Sequence, residues 1–340
     1  EYYTPHAVAK IMASILVEGQ PKNVKCYDPA AGSGTLLMSL AHDIGEDRCT
    51  IYSQDISQKS SGMLRLNLIL NDLVHSIQNV IQGNTLLNPY HKNGGKLAQF
   101  EYIVSNPPFK LDFSDERERL DSKENRDRFF AGVPAVPPKD KDKMPIYLLF
   151  LQHIMHSLHE TRGRAAVVVP TGFITAQSGI AKKVRQAMVD RHMLMGVISM
   201  PSNIFATTGT NVSILFLDKG NKVGPIVLMD ASKLGRTVKD GKNEKTFLEP
   251  KEEDHIIEHF RKKEPVADFS VVVSYDDIVT KNYSLSAGQY FDVKIEYTDI
   301  TPEAFAEKMQ AHKQNLKSLF AESRKLEKEI EEQLGGLVYE

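Results

Sequence analysis

The chain alternates short apolar runs with longer segments in which apolar positions recur every three or four residues. The apolar runs predict strands near residues 24–28, 50–54, 77–81, 101–105, 164–169, 195–200 and 212–217. The helical spacing predicts helices over residues 5–18, 35–43, 57–72, 145–160 and 179–191. This alternation is typical of an α/β fold, in which helices cover both faces of a mostly parallel central sheet.

The first predicted helix also has a predicted start. Thr4 offers a hydroxyl that can act as the N-cap. Pro5 suits the first helical position, because that position needs no backbone N–H. We therefore expect the helix to begin directly after Thr4.

Two regions depart from the alternation. Residues 111–143 are rich in charged residues, proline and lysine, and they predict a long mobile loop inserted after the strand at 101–105. This loop is either a solvated insertion or a source of binding residues, and the sequence leaves both readings open. Residues 221–295 carry weaker signals and are predicted to elaborate the core, which gives one domain over residues 1–295.

Residues 296–340 form a separate C-terminal segment, with a helix predicted from Thr301 to about Leu334. Its apolar residues recur at three-, four- or seven-residue intervals, at Met309, Leu316, Leu319, Leu326 and Ile330. Such a helix either packs on its own domain or forms a coiled coil with a partner. We predict the second arrangement, a helical tail for subunit contact.

Composition excludes several classes of protein. None of the apolar runs in these 340 residues reaches the ~20 residues that a membrane span needs. Cys26 and Cys49 show neither metal-ligand spacing nor a disulfide framework, so we predict a reducing, cytoplasmic location. The net charge of −2 is unlike that of a domain that grips nucleic acid unaided. The chain begins with Glu1 rather than Met, as expected of an internal fragment.

The segment from Asp28 to Thr35 reads as a strand end that turns through glycines into a helix. Gly32 and Gly34 allow the backbone to approach a ligand closely, and the following helix start offers free N–H groups to a carboxylate. Asp28, at the strand end, suits an ammonium group. Asp55 ends the next predicted strand, 27 residues after Asp28, where an acid often binds ribose hydroxyls. The pattern favours a cofactor with an amino acid part and a nucleoside part.

Two other phosphate-binding or nucleotide-binding motifs do not fit this turn. A dinucleotide fingerprint needs a third glycine where Leu37 stands. A triphosphate-binding loop needs a lysine after its glycine, and Thr35 follows Gly34. A plain strand-to-helix turn without a ligand remains the structural alternative.

The segment from Asn106 to Phe109 follows the strand at 101–105 and is typical of a pocket for a flat ring that carries an amino group. Asn106 offers a side-chain oxygen, and Pro107 a carbonyl that the two successive prolines hold in place. Two acceptors on the hydrogens of an adenine amine favour a pyramidal nitrogen, whose lone pair can attack a methyl group. Phe109 offers a face for stacking. The alternative is a tight turn with a buried ring.

With these motifs in this order, the chain resembles the N6-adenine DNA methyltransferases, and most closely the modification subunit of type I restriction-modification systems. The resemblance covers nearly the whole chain. It rests on Tyr2–Pro5 (YYTP), Asp28–Gly34 (DPAAGSG), Arg65–Leu70 (RLNLIL), Gly83–Leu86 (GNTL), Asn106–Phe109 (NPPF), Gly163–Pro170 (GRAAVVVP), Pro201–Phe205 (PSNIF) and Tyr283–Tyr290 (YSLSAGQY).

The resemblance implies a Rossmann-like fold that binds S-adenosylmethionine and methylates a flipped adenine in double-stranded DNA. The cofactor residues that it implies are Tyr3, Thr4, Pro5, Asp28, Ala30, Gly32, Ser33, Gly34, Thr35, Asp55 and Asn84. The family usually has an acid at the position of Asn84, whereas asparagine can accept one hydrogen bond and donate another. The residues implied at the target base are Asn106, Pro107 and Phe109.

The implied partners are a specificity subunit, a second modification subunit and a restriction subunit that acts as a motor nuclease. Two other functions remain open at this stage. The same amino-group chemistry could act on RNA adenine or on a protein glutamine, or the chain could be an inactive scaffold. No metal site is predicted.

Overall fold

The structure is a computed structural model that describes residues 4–205, 211–240, 243–291 and 301–335. The chain divides into a larger unit that ends at Phe291 and a smaller C-terminal unit. Tyr3, which the resemblance assigns to the cofactor, lies outside the described residues. Among the helices that the structure describes, none is long and apolar enough to cross a membrane.

The helices agree with the periodicity of the sequence. The described residues form α1 (His6–Leu16), α2 (Thr35–Ile44), α3 (Gln58–Leu70), α4 (Arg117–Leu120), α5 (Tyr147–Ser157), α6 (Gly172–Thr175), α7 (Gly179–Asp190), α8 (Pro250–Lys262), α9 (Tyr275–Thr280) and α10 (Pro302–Gly335). All five helices predicted before residue 200 are present, and the predicted C-terminal helix is α10. Short 3₁₀ helices connect several of these elements.

The predicted start of α1 is wrong by one residue. Pro5 is the N-cap, with φ −58° and ψ 142°, and no side chain caps the helix. Because this ψ is extended, Pro5 cannot be the first helical residue, and the helix begins at His6. The Thr4 hydroxyl is therefore available for another contact.

The strands fall into one large sheet and two small ribbons. The described strands are β1 (Val24–Asp28), β2 (Cys49–Asp55), β3 (Val80–Gln82), β4 (Lys92–Asn93), β5 (Lys96–Leu97), β6 (Tyr102–Ser105), β7 (Arg164–Pro170), β8 (Leu194–Ser199), β9 (Val212–Asp218), β10 (Ile226–Asp230), β11 (Arg236–Asp240), β12 (Asn243–Phe247) and β13 (Ser270–Val273). The large sheet has the order β13-β10-β8-β9-β7-β6-β1-β2-β3, while β4–β5 and β11–β12 form the ribbons.

The large sheet is mostly parallel, as predicted. Only β9 and β13 run against the other strands of this sheet. The predicted strand at 77–81 is shorter and later, because residues up to Asn79 form a 3₁₀ helix before β3. Within 221–295, the segment predicted to elaborate the core, β10 and β13 extend the large sheet at one end.

Helices cover both faces of the sheet, and each face has its own apolar core. One core packs α1, α2, α3 and α8 on the sheet, and includes Ile11, Leu37, Leu64 and Phe260. The other packs α5, α6, α7 and α9 on the opposite face. Strands buried on both faces read as continuous apolar runs, which is why the sequence identified them.

Residues 111–143 contain a small core of their own. Phe113, Leu120, Phe129 and Val133 are buried, and they pack in a cluster with Phe150 of α5. The segment also forms α4 and short 3₁₀ turns. It is therefore more than a solvated loop, although its predicted mobility stays a prediction.

We expect Gly34→Ala to destabilise the fold by roughly 1–3 kcal/mol. Gly34 has a φ of 87°, and an added Cβ would overlap Cδ1 of the buried Leu64. Gly62→Ala is the matched control, because Gly62 lies in α3 and its added Cβ meets open space. This control should stabilise the protein by about 0.5–1 kcal/mol. Urea unfolding measures both changes, and equal stability of the two variants would contradict the close packing at Gly34.

Candidate active site

A cavity opens where three parallel strands end side by side. β1 ends at Asp28, β2 at Asp55 and β6 at Ser105, and their shared direction brings these ends to one edge of the sheet. The cavity has a volume of about 410 Å³. A smaller recess of about 40 Å³ shares Ala30, Gly32, Ser33 and Asn106 with it. Ligands of open α/β sheets bind at this edge.

The glycine turn between β1 and α2 lines both spaces. Gly32 and Gly34 have φ values of 53° and 87°, a region that favours glycine. The Gly34 N–H donates to the Ala31 carbonyl at 2.9 Å. The Asn67 side-chain amide of α3 donates to the Ser33 carbonyl at 2.9 Å. Bonds within the turn and from α3 therefore hold its backbone against the cavity.

Asp28 is buried at the end of β1 and links the turn to β6. Its Oδ1 accepts the Ala30 N–H and the Ser105 hydroxyl, each at 2.9 Å. Burial raises the pKa of Asp28 to about 7, the two hydrogen bonds oppose the rise, and the charge of Asp55 adds to it. A cation brought against Asp28 would favour the ionised form and lower this pKa.

Asp55 holds two backbone segments at the cavity wall. Its Oδ2 accepts the Gly32 N–H of the glycine turn at 2.9 Å. Its Oδ1 accepts the N–H of Ser57, the N-cap of α3, at 2.8 Å. Each carboxylate oxygen has a second lone pair, so Asp55 retains acceptor capacity for hydroxyl groups in the cavity.

Asn84 also lines the cavity and shapes its own segment. Its Oδ1 accepts the N–H groups of Leu86 and Leu87, at 3.0 and 3.2 Å. The neighbouring Thr85 hydroxyl donates to the Pro29 carbonyl at 2.7 Å, which ties this turn to the end of β1. An aspartate at position 84 could accept the same two bonds, so asparagine preserves the local geometry.

Asn106 lines both the cavity and the recess, and its side chain is held by Thr4. Its Nδ2 donates to the Thr4 hydroxyl oxygen at 3.2 Å. This bond fixes the orientation of the amide, whose acceptor atom, Oδ1, can then accept from a ligand. Pro107, the next residue, is buried. The Thr4 hydroxyl thus orients Asn106 instead of capping α1.

Phe109 is half-buried beside the cavity and does not belong to its lining. Its ring meets Tyr147 of α5 edge to face, with ring centres 6.3 Å apart. The apolar wall of the cavity comes instead from Pro108, Leu111, Ile146 and Phe150. Phe109 therefore contacts α5 rather than the cavity, and its predicted stacking on a base stays a prediction.

Nine of the fourteen residues predicted from the sequence line the two spaces. They are Thr4, Asp28, Ala30, Gly32, Ser33, Thr35, Asp55, Asn84 and Asn106. Four others, Pro5, Gly34, Pro107 and Phe109, are not in either lining, and Tyr3 lies outside the described residues. Sequence reasoning missed Ser57, the N-cap of α3, and Met63 within that helix, although the helix start predicted at residue 57, close to Asp55, was a usable signal.

Sequence comparisons give the family. The model of the N-6 DNA methylase family matches residues 1–299. The chain is 30% identical over 309 residues to the type I restriction enzyme MpnII methylase subunit of Mycoplasma pneumoniae, covering 88% of this chain and 54% of that protein. It is 24% identical over 350 residues to the HindI methylase subunit of Haemophilus influenzae, covering 100% of this chain and 74% of that protein.

The fold comparison agrees. The type I restriction-modification methyltransferase subunit of Streptococcus thermophilus superposes with a TM-score of 0.71 and 25% identity, covering 86% of this chain and 60% of that one. The chain belongs to the N-6 DNA methylase family. It spans 54% and 59% of the length of two of its curated relatives, the MpnII subunit and the MjaIX subunit of Methanocaldococcus jannaschii.

The buried Asp28 should make stability depend on pH in a defined direction. Its folded-state pKa is raised from 3.8 to about 7, so the folded protein binds more protons than the unfolded chain between these values. Stability from this group is therefore lost as pH rises from about 4 to 7, and is constant above that range. Asp28→Asn keeps an oxygen for both hydrogen bonds but does not titrate.

Urea unfolding at pH 4.5, 6 and 8 tests this dependence. The free energy of unfolding of Asp28→Asn minus that of the parent protein should increase with pH, by a few kcal/mol at most, since one pKa unit corresponds to about 1.4 kcal/mol. All other titrating groups are common to both proteins and cancel in the difference. A difference that does not change with pH would rule out a raised pKa.

Proposed function

We propose that this chain transfers a methyl group from S-adenosylmethionine to the N6 amine of adenine in double-stranded DNA, as the modification subunit of a type I restriction-modification complex. One observation carries the proposal. The glycine turn after β1 and Asn106 after β6 line the same cavity, and the Ser105 hydroxyl joins their strands through Asp28. Membership of the N-6 DNA methylase family supports the reaction class.

The residues of the cavity and of its recess suit the cofactor. S-adenosylmethionine supplies an electrophilic methyl group on a sulfonium. Asp28, buried and without a cation partner among the described residues, suits its ammonium group. Asp55 has free lone pairs for ribose hydroxyls, and Asn84 lies at the same wall. The volume of about 410 Å³ lies in the range of small-molecule sites.

Other residues of the same cavity suit the target base. Asn106 Oδ1 and the Pro107 carbonyl would accept the two hydrogens of the adenine amine, so that its lone pair is directed at the methyl group. Leu111, Ile146 and Phe150 supply apolar surface for the ring. A base inside a duplex cannot reach this cavity, so the adenine must be flipped out.

The rate enhancement then comes from alignment and hydrogen bonding. Thr4 contributes by fixing which end of the Asn106 amide meets the base. Asp28 contributes in two ways. It holds the glycine turn through Ala30 and the start of the Asn106 segment through Ser105, and it would provide the negative charge for the cofactor. The methyl group would leave a neutral thioether behind, and the methylated amine would carry a positive charge until it released a proton to solvent. The reaction therefore needs neither a metal nor a side chain that acts as a strong base.

The C-terminal unit supports the proposed partners. Helix α10 is 34 residues long, and its described side chains are nearly all exposed. Its exposed large apolar residues include Met309, Leu316, Leu319, Leu326 and Ile330, which recur along the helix. We assign this stripe to a specificity subunit. The assembly would also include a second modification subunit and a restriction subunit, in the cytoplasm.

Cofactor binding should depend on Asp55. Titration calorimetry with S-adenosylmethionine should give one site in the full chain, and Asp55→Ala should weaken it by about 10- to 100-fold, because hydrogen bonds to a charged group contribute about 1.5–3 kcal/mol. Asp47→Ala removes an exposed carboxylate as a control and should change affinity less than about twofold. Urea unfolding of Asp55→Ala shows whether the weaker binding comes from loss of the carboxylate alone or from a destabilised glycine turn. Absence of any binding by the intact chain would contradict the proposal.

Methyl transfer should depend on Asn106. With the specificity partner present, Asn106→Ala should lower turnover on duplex DNA by about 10²-fold or more and leave cofactor affinity nearly unchanged. Thr4→Val keeps the shape of the side chain but removes the acceptor for Asn106 Nδ2, so it should lower turnover less. Radiolabelled cofactor with DNA, RNA and protein identifies the substrate, and base mapping identifies the methylated atom. Full turnover in Asn106→Ala would refute the target site.

A further inference from the structure

A second and larger cleft lies outside the candidate active site. Its volume is about 1050 Å³. The β4–β5 ribbon and residues 119–128 of the insertion form much of its wall, together with the end of α5. Arg191, after α7, and Lys219, after β9, complete the wall. None of its lining residues lines the cavity at Asp55 and Asn106.

The cleft is electropositive, although the whole chain has a net charge of −2. Three carboxylates line it, those of Glu124, Asp127 and Glu160. Six cationic side chains line it: Lys92, Lys96, Arg119, Arg128, Arg191 and Lys219. The local excess is therefore three positive charges.

Nearby carboxylates do not form ion pairs with these six cations. Within residues 4–205, 211–240, 243–291 and 301–335, none of them forms an ion pair within 4.0 Å. Other arginines of the same unit do, such as Arg162 with Glu101 at 2.9 Å and Arg164 with Asp218 at 3.0 Å. The cleft thus keeps its positive charge available to a ligand.

Arg128 is the most informative of the six. Its side chain is 4% exposed, and its Nη2 donates to the Leu86 carbonyl at 2.6 Å and to Asn125 Oδ1 at 2.7 Å. Its Nη1 is buried and has no hydrogen-bond partner in the part of the chain that the structure describes. A buried guanidinium with an unused donor and no carboxylate partner is costly unless an anion compensates it.

Arg191 and Lys219 are two further cations of the cleft, and they lie close to each other. Arg191 packs over the Phe130 ring, 4.2 Å from its centre, which fixes its position without consuming its charge. Lys219 is half-buried. Burial lowers its pKa, and the charges of Lys222 and Arg191 lower it further, while Glu160 opposes the change. Like charges held together in this way are relieved by an anionic ligand.

We propose that this cleft binds phosphate groups. Arginine and lysine side chains are the usual protein ligands of phosphate, and a space of about 1050 Å³ accommodates a nucleotide or a few backbone phosphates of DNA. Neither the glycine turn nor Asn106 takes part, so the proposal does not depend on the proposed methyl transfer. Free phosphates and a nucleic-acid backbone share this chemistry, and the experiment separates them.

The test uses the full chain with two probes, inorganic pyrophosphate and a fluorescent DNA duplex. Lys92→Gln/Lys96→Gln removes two charges from the cleft, and because both residues are exposed on the ribbon the fold should be unaffected. Lys219→Gln tests the inner wall. Lys233→Gln/Lys251→Gln is the matched control, because it removes the same charge from exposed positions outside the cleft. Urea unfolding and cofactor titration verify that every variant is intact.

We expect each cleft variant to bind pyrophosphate about tenfold more weakly or worse, while the control changes less than about twofold. If the cleft holds a DNA backbone, Lys92→Gln/Lys96→Gln should also make duplex affinity less dependent on salt. The slope of log affinity against log salt concentration should become smaller in magnitude by up to about two. Weaker duplex binding alone assigns the phosphates to DNA, and weaker pyrophosphate binding alone assigns them to a free ligand. If the cleft variants bind both probes as the control does, the proposal is wrong.

Discussion

The candidate active site depends on one buried carboxylate. Asp28 accepts a hydrogen bond from Ala30 in the glycine turn and another from Ser105, the residue before Asn106. These two bonds fix the relative position of two loops that are more than seventy residues apart in sequence. Since burying a carboxylate is unfavourable, the arrangement stores a local cost that a cationic ligand can relieve. The side chain that would bind a cationic ligand is therefore the same one that holds the two loops in position.

The other polar residues of the site are also satisfied by the protein itself. Asp55 joins the glycine turn to the start of α3, and Asn84 caps its own turn through Leu86 and Leu87. These bonds prepare the loops before any ligand arrives, so less ordering is required on binding. Preorganised acceptors are what a reaction driven by alignment requires.

The strands, the main helices and the glycine turn were predictable because each depends on a local signal. These signals are apolar runs for the strands, apolar positions every three or four residues for the helices, and glycines for the turn. Asp55 followed from its position at a strand end. Ser105 did not, because its role depends on a neighbour across the sheet. Thr4 was wrongly predicted as a helix cap, since the sequence does not reveal its partner Asn106. The apolar wall at Leu111 was hidden in an insertion whose small core arises only from tertiary packing.

Strand β6 is four residues long, and its register with β7 stops at Ser105 although β7 continues to Pro170. Pro107 and Pro108 follow, and neither has an N–H with which to extend the ladder. On the other side, β1 pairs with β6 and ends at Asp28, so both strands stop short of the end of β7, and the space for a ligand begins there. A missing pair of backbone donors, rather than any added side chain, therefore ends the pairing of β6 with β7 at the site.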